Sequence, residues 1–187
     1  MCVIFGAGRA CNLLSETNVL EVMNTLMLDR RRLMLATVTA ALAPTYAGAA
    51  AKPDAYAASP FRKLTDAEWR KRLPPASYLV LRHEDTERPG TSALLNERRK
   101  GTFVCLGCDL PLFKSETKYE SGTGWPSFFR VIAGAVGERT DYKIGLPRTE
   151  YHCARCLGHQ GHVFNDGPRP TGLRYCNNGV ALRFIPA

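Results

Sequence analysis

Two Cys-x-x-Cys pairs, Cys105-Leu-Gly-Cys108 and Cys153-Ala-Arg-Cys156, stand 44 residues apart in a chain of 187. In each pair the two intervening residues allow a tight turn that points both sulfurs at one ion, and two such knuckles complete a tetrahedral thiolate site of the kind that holds structural zinc. Two other chemistries use the same residues: a pair of redox-active dithiols, or two disulfides formed in an oxidising compartment. A redox CxxC of the thioredoxin type opens a helix after a strand. Here Cys108 runs into Asp109-Leu-Pro111 and Cys156 into Leu157-Gly158, so zinc is the expected occupant. His152, His159 and His162 are near enough to compete as ligands, but four cysteines already close a structural site and leave the histidines for other work.

A fifth cysteine, Cys176, sits in Arg174-Tyr-Cys-Asn-Asn178, far from either pair. Most free cysteines are small buried apolar residues. A flank of Arg, Tyr and two Asn is polar for a core position, and a cation at Arg174 favours the thiolate, the reactive form of the side chain.

The elements that must position these residues are short. Thr65-Asp-Ala-Glu68 is a capping-box pattern with Trp69 and Leu73 four apart, which predicts a helix to about Arg72, stopped by Pro74-Pro75. Tyr78-Leu-Val-Leu81 is an apolar run of open type. From Gly101 onward, segments such as Thr102–Cys105, Phe128–Ile132, Arg148–His152, His162–Phe164 and Val180–Phe184 alternate with Gly, Pro and Asp, which predicts a mainly antiparallel β domain. This half has no long apolar helical stripe, no GxGxxG and no P-loop.

The first fifty residues read differently. Arg30-Arg-Arg32 leads into the apolar Leu33–Leu42, and Ala47-Gly-Ala49 fits a signal-peptidase site. The apolar stretch is too short to span a bilayer, so an export signal that is removed is expected, of twin-arginine or Sec type, with delivery to the periplasm and no stable membrane insertion. Met27 is the expected true start, which would leave Cys2 and Cys11 outside the mature protein; a short amphipathic N-terminus on a cytoplasmic protein is the alternative. The expected organisation is therefore an extension and signal over 1–51, a linker over 52–60 and a folded domain over 61–187. From residue 52 on, 21 Lys and Arg against 14 Asp and Glu give about +7, scattered rather than gathered into a basic face, so nucleic acid is not an expected partner.

Gly124-Trp-Pro-Ser-Phe128, the run Gly158-His-Gln-Gly-His-Val-Phe-Asn-Asp-Gly-Pro168, and Thr171-Gly-Leu-Arg-Tyr-Cys-Asn-Asn178, arranged around the two CxxC pairs, resemble the methionine sulfoxide reductases of B type. The resemblance runs from about Leu64 to Phe184. It implies two antiparallel sheets forming an open barrel-like core with a short N-terminal helix, a structural zinc on Cys105, Cys108, Cys153 and Cys156 away from the active site, and reduction of the R epimer of methionine sulfoxide, mainly within proteins. It implies Cys176 as nucleophile, His162 as the group that binds and protonates the sulfoxide oxygen, His159 as an orienting neighbour, and Trp125 as the wall against the S-methyl group. By the same resemblance Asn178 holds substrate or histidine through its amide, and Arg174 helps keep Cys176 ionised or forms a surface ion pair.

Many members of that family carry, in the slot of Thr123, a cysteine that resolves the sulfenic acid left on the nucleophile. Threonine has no thiol, and removal of the signal would leave only the four metal-type cysteines beside Cys176. The expected reductant is therefore external, a thioredoxin-like partner or a small thiol, with an uncleaved Cys2 or Cys11 as the rival resolver. Two other classes compete with this reading: a zinc-stabilised β module that binds without chemistry, for which Cys176, His162 and Trp125 are coincidences, and a CxxC thiol-disulfide oxidoreductase without metal.

Overall fold

The computed structural model describes residues 54–187. The arginine-led export signal, the expected start at Met27, and Cys2 and Cys11 lie outside the described residues. Within the stretch expected as a linker, Asp54–Ala57 form a turn. Arg62 donates to Asp54 Oδ2 at 2.5 Å and to the carbonyl of Ala154 at 2.6 Å, and Tyr56 packs at the edge of the core.

Helix α1 (Asp66–Arg72) begins at the expected capping box: the Glu68 amide donates to Thr65 Oγ1, and Glu68 Oε2 accepts from the Thr65 amide at 2.7 Å. A second helix, α2 (Pro75–His83), resolves the open run, with Pro75 in the first turn, where the missing N–H costs nothing, and Tyr78, Val80 and Leu81 buried. Among the described residues no helix is long and apolar enough to cross a membrane.

Nine strands follow: β1 (Gly101–Cys105), β2 (Pro111–Lys114), β3 (Lys118–Tyr119), β4 (Ser127–Phe128), β5 (Val136–Asp141), β6 (Arg148–Cys153), β7 (His159–Phe164), β8 (Arg174–Asn177) and β9 (Leu182–Pro186). They form two open antiparallel sheets, of order β2-β1-β9 and β3-β4-β8-β7-β6-β5. Two expected strands are shorter than their apolar runs. The segment from Phe128 leaves the sheet after Phe128, because Phe129 returns its amide to Thr117 and Ile132 its amide to Leu112. Val180 and Ala181 belong to a 3₁₀ turn over Gly179–Ala181, and the strand starts at Leu182. The strands β2, β3, β5 and β8 stand outside the segments expected from the sequence. β5, Val-Gly-Glu-Arg-Thr-Asp, has little apolar signal because it is an edge strand and mostly solvated.

The two sheets meet through aromatic rings. Phe113 of the smaller sheet stacks on Phe128 of the larger, with centroids 4.1 Å apart and planes at 10°, and Phe103 meets Phe128 edge-on at 4.9 Å. Tyr151 and Tyr175 extend the cluster, 5.3 Å apart and T-shaped. Phe103, Phe113, Phe128 and Tyr151 have no exposed surface, so each contributes its full transfer energy plus close packing. Phe113→Ala would leave a ring-sized cavity between the sheets and is expected to destabilise the domain by about 3–5 kcal/mol, read as a lowered urea midpoint.

Candidate functional site

Antiparallel pairing sets one row of side chains across the larger sheet. Tyr119 faces Ser127, Ser127 faces Cys176, Cys176 faces His162, His162 faces Glu150 and Glu150 faces Arg139, so all six share one face of the pleat. The neighbours Phe128, Tyr175 and Tyr151 take the opposite face and enter the core. One sheet thus carries packing on one side and a thiol beside an imidazole on the other.

Cys176 and His162 floor a cavity of about 160 Å³ whose walls include Trp125, Phe164, Arg148, Thr86 and Asn178. Trp125 is held by its indole N–H, which donates to the carbonyl of Glu87 at 2.8 Å. Burial pushes the Cys176 thiol above its ordinary value. Arg174 and the Thr123 hydroxyl favour the thiolate but do not overcome that desolvation. Burial likewise lowers the pKa of His162, despite its bond to Asp141. Desolvation thus favours the thiol over the thiolate and the neutral imidazole over the imidazolium, while Arg174 pulls Cys176 toward the thiolate.

Asp141 Oδ2 accepts from His162 Nε2 at 2.7 Å and from Arg148 at 2.6 Å. A backbone bond from Lys143, with those from His162 and Arg148, holds the Asp141 carboxyl far below the usual carboxylate range. A carboxylate only accepts, so His162 carries its proton on Nε2 and leaves Nδ1 as the basic nitrogen.

His159 is buried, and its Nδ1 donates to Glu150 Oε1 at 2.8 Å, with its ring 5.5 Å from that of His162. Simple alternation would send His159 to the core face. The register slips between Tyr151 and His152, Gln160 becomes the extra residue of a bulge, and the bulge returns His159 to the reactive side. Burial opposes ionisation of Glu150, but hydrogen bonds from His152 and His159 outweigh it and hold the carboxyl at about 2. Asn178 lines the cavity, yet its amide is committed to the backbone: Nδ2 and the main-chain N–H both donate to the Gln160 carbonyl, at 3.0 and 2.9 Å, and Oδ1 accepts from the Glu87 amide at 2.9 Å. It fixes the bulge and the loop that carries Trp125's partner, rather than holding an imidazole. Arg174 stays behind the cavity, paired bidentately with Asp166 at 2.8 Å and lying 4.3 Å over the Phe164 ring, one of the cavity walls.

Of the expected site residues, the fold brings Cys176, His162, Trp125 and Asn178 to the cavity and sets His159 and Arg174 in support. Asp141, Glu150 and Glu87 were missed, because a lone acidic residue in a strand or loop has no motif; register sets Glu150 opposite His162, and tertiary hydrogen bonds join Asp141 to His162 and Glu87 to Trp125.

Cys105, Cys108, Cys153 and Cys156 are buried, with all four sulfurs within 4.8 Å of one another. Cys105 to Cys156 is 3.6 Å and Cys108 to Cys153 is 3.5 Å, too long for disulfides and near the about 3.8 Å edge of a tetrahedron with metal–sulfur bonds of about 2.3 Å. Each pair turns a hairpin, β1 to β2 in one sheet and β6 to β7 in the other, and the residue after each knuckle, Asp109 or Leu157, takes positive φ. The donors and their burial suit a structural metal that joins the sheets.

A reactive thiol beside a histidine, in a narrow cavity on a two-sheet scaffold with a four-cysteine metal-type cluster, defines a cysteine-dependent enzyme class. Residues 73–186 match the SelR domain family. The chain is 52% identical over 121 residues to the peptide methionine sulfoxide reductase MsrB of Leptospira interrogans, covering 64% of this chain and 92% of that one. It is 54% identical over 120 residues to the protein of the same name from Pseudomonas putida, covering 64% and 90%. Against the chloroplastic peptide methionine sulfoxide reductase B1 of Arabidopsis thaliana, the identity is 48% over 124 residues, 66% of this chain and 61% of that one. The chain belongs to the B-type methionine sulfoxide reductase family.

Gly161 lies between Tyr151 and Asn177 in register, and a Cβ there would run into the Cys176 carbonyl. Gly161→Ala must push strand β8 away and is expected to cost about 1–3 kcal/mol, seen as a lowered thermal midpoint together with altered reactivity of Cys176 toward iodoacetamide.

Proposed function

We propose that this protein reduces the R epimer of methionine sulfoxide in proteins to methionine, with Cys176 as nucleophile. The observation that carries this reading is the pairing of Cys176 with His162 at the floor of a cavity walled by Trp125 and Phe164. An S-methyl group suits the flat aromatic wall, and the cavity has room for about one side chain.

The reaction needs one proton for the sulfoxide oxygen, and desolvation favours keeping that proton on Cys176. As the Cys176 sulfur attacks the sulfoxide sulfur, its proton passes to Nδ1 of His162 and on to the sulfoxide oxygen. The attack forms an S–S bond to a substrate sulfur that now bears the hydroxyl. The hydroxyl then shifts to the Cys176 sulfur, breaking the S–O bond to the substrate and forming one to Cys176, while the S–S electron pair leaves with methionine, so sulfur of the substrate is reduced as sulfur of Cys176 is oxidised to sulfenic acid. Asp141 holds the imidazole in the tautomer that leaves Nδ1 free. An external thiol, from a thioredoxin-like protein or a small molecule, then condenses with the sulfenic acid, releasing water, and a second thiol frees Cys176. Support for an external donor is that the other four described cysteines all lie in the metal-type cluster and Thr123 occupies the resolving position.

The cluster is proposed to hold one zinc ion on Cys105, Cys108, Cys153 and Cys156. Zinc there supplies folding energy rather than catalysis. The N-terminal sequence supports the further proposal that the protein is exported to the periplasm and repairs oxidised proteins there.

The test is single turnover of the pre-reduced protein from Ala50 onward with a peptide containing the R sulfoxide. One methionine per chain is expected, with Cys176 oxidised and no intramolecular disulfide; a disulfide to Cys176 would overturn external recycling. Cys176→Ser should yield none, and His162→Asn should slow the step by about 10²–10⁴-fold. The rate should be bell-shaped in pH. It falls on the acid side as His162 protonates, below the ordinary imidazole value because burial lowers its pKa. It falls on the alkaline side as Cys176 loses its proton, above the ordinary thiol value because burial raises it. Plasma mass spectrometry should find one zinc per chain. A structural zinc of this kind is worth roughly 10–16 kcal/mol, comparable to a whole domain's stability, so Cys153→Ser or chelation should abolish the cooperative thermal transition.

A further inference from the structure

Of the six exposed large hydrophobics among the described residues, three fall within five positions: Tyr142, Ile144 and Leu146, which are 67, 60 and 67% exposed. They occupy alternate positions of the loop between β5 and β6. That loop is a built turn. The Lys143 amide donates to Asp141 Oδ1 at 2.7 Å, the Gly145 amide to the Tyr142 carbonyl at 2.9 Å, and Arg148 closes the base onto Asp141 at 2.6 Å. Gly145 has φ +79° with open space around it, so the turn rests on backbone and not on its apolar side chains. Lys143 turns back to the body, reaching the carbonyls of His83 and Glu84, which separates it from the three apolar residues between which it stands.

Both feet of the loop stand in the reaction site. Asp141 bonds the catalytic His162, and Arg148, two residues past Leu146, is a wall of the cavity. The cavity of about 160 Å³ has room for about one side chain, and the chain on either side of a protein-borne sulfoxide then continues over the surrounding surface. Apolar side chains left in water on such a loop mark an interaction surface.

We infer that Tyr142, Ile144 and Leu146 form a docking surface for the polypeptide that carries the sulfoxide, and that they select extended segments with apolar side chains next to the oxidised methionine. The inference rests on the reductase reading above. Continuity of the loop with the cavity favours substrate over a second copy of this chain, since the strand-end residues that carry the loop, Asp141 and Arg148, bond the catalytic histidine and wall the cavity.

The test compares the triple variant Tyr142→Ser, Ile144→Ser, Leu146→Ser with the native protein, with dithiothreitol as reductant. Two substrates are used: N-acetyl-R-methionine sulfoxide, and a peptide with leucines on both sides of the R sulfoxide. The expected result is a KM for the peptide raised about tenfold, from the lost apolar contact, with kcat/KM for the small substrate unchanged. Ile185→Ser, an exposed apolar change in the smaller sheet, should alter neither. An unchanged peptide KM overturns the inference and leaves the reductase reading standing. Equal loss on both substrates also overturns it, because the loop would then serve the cavity alone. A dimer of the native protein that the variant loses, with KM unchanged, assigns the surface to a second copy and overturns it. Native protein inert on both substrates overturns the reductase reading and this inference with it. If the triple variant does not fold, Ile144→Ser is read by the same criteria.

Discussion

A β-strand offers its side chains only two directions, and the larger sheet of this protein uses both to the full. Phe128, Tyr175 and Tyr151 point into the aromatic core, while their neighbours Ser127, Cys176, His162 and Glu150 form a continuous row on the other face. A slip of one residue in β8 would send the thiol into the core and a tyrosine into the cavity. The ring packing that holds the sheets together therefore also holds the thiol and the imidazole in register. Burial also acts on their protonation: desolvation raises the thiol and lowers the imidazole, so it favours the uncharged form of each.

The metal-type cluster and the cavity are separate in function but meet at Gln160. Its side-chain N–H donates to Cys105 Sγ at 3.3 Å, and its carbonyl takes both donors of Asn178. The bulge that turns His159 toward Glu150 is thus fixed from one side by the knuckles and from the other by the strand bearing Cys176. Helices α1 and α2 close over the knuckles from outside, where Arg72 donates to the Gly107 carbonyl, Arg82 donates to the Cys156 carbonyl, and Arg82 also covers Trp69 at 4.8 Å. A metal ion held by the four cysteines would supply these short strands with folding energy that their small apolar area does not.

Much of this was legible in the chain itself. The capping box at Thr65, the two knuckles, Cys176, His162 and Trp125 announce themselves through local chemistry or motif, and the fold places each where that chemistry needs it. Other parts were not legible, for physical reasons. Tyr78–Leu81 is four apolar residues, too few to distinguish strand from helix, and tertiary contact made it helix. The apolar run after Phe128 leaves the sheet because its amides find partners elsewhere. Asp141 and Glu150 stand apart in sequence from the histidines they bond, and Arg174, two residues before Cys176, pairs with Asp166 while still favouring the Cys176 thiolate.

The sequence by itself determined which reactions are possible, because residue type and near-neighbour spacing decide what a thiol, an imidazole or a CxxC turn is able to do. It also determined that position 123 is a threonine, which has no thiol. Only the tertiary structure decided which nitrogen of His162 is basic, which way burial shifts the Cys176 thiol, that Asn178 serves the backbone, and that three apolar side chains stand in water on the loop ending at Arg148. Those properties depend on desolvation, register and partners brought together from distant strands, and none of these is a property of a local stretch of chain.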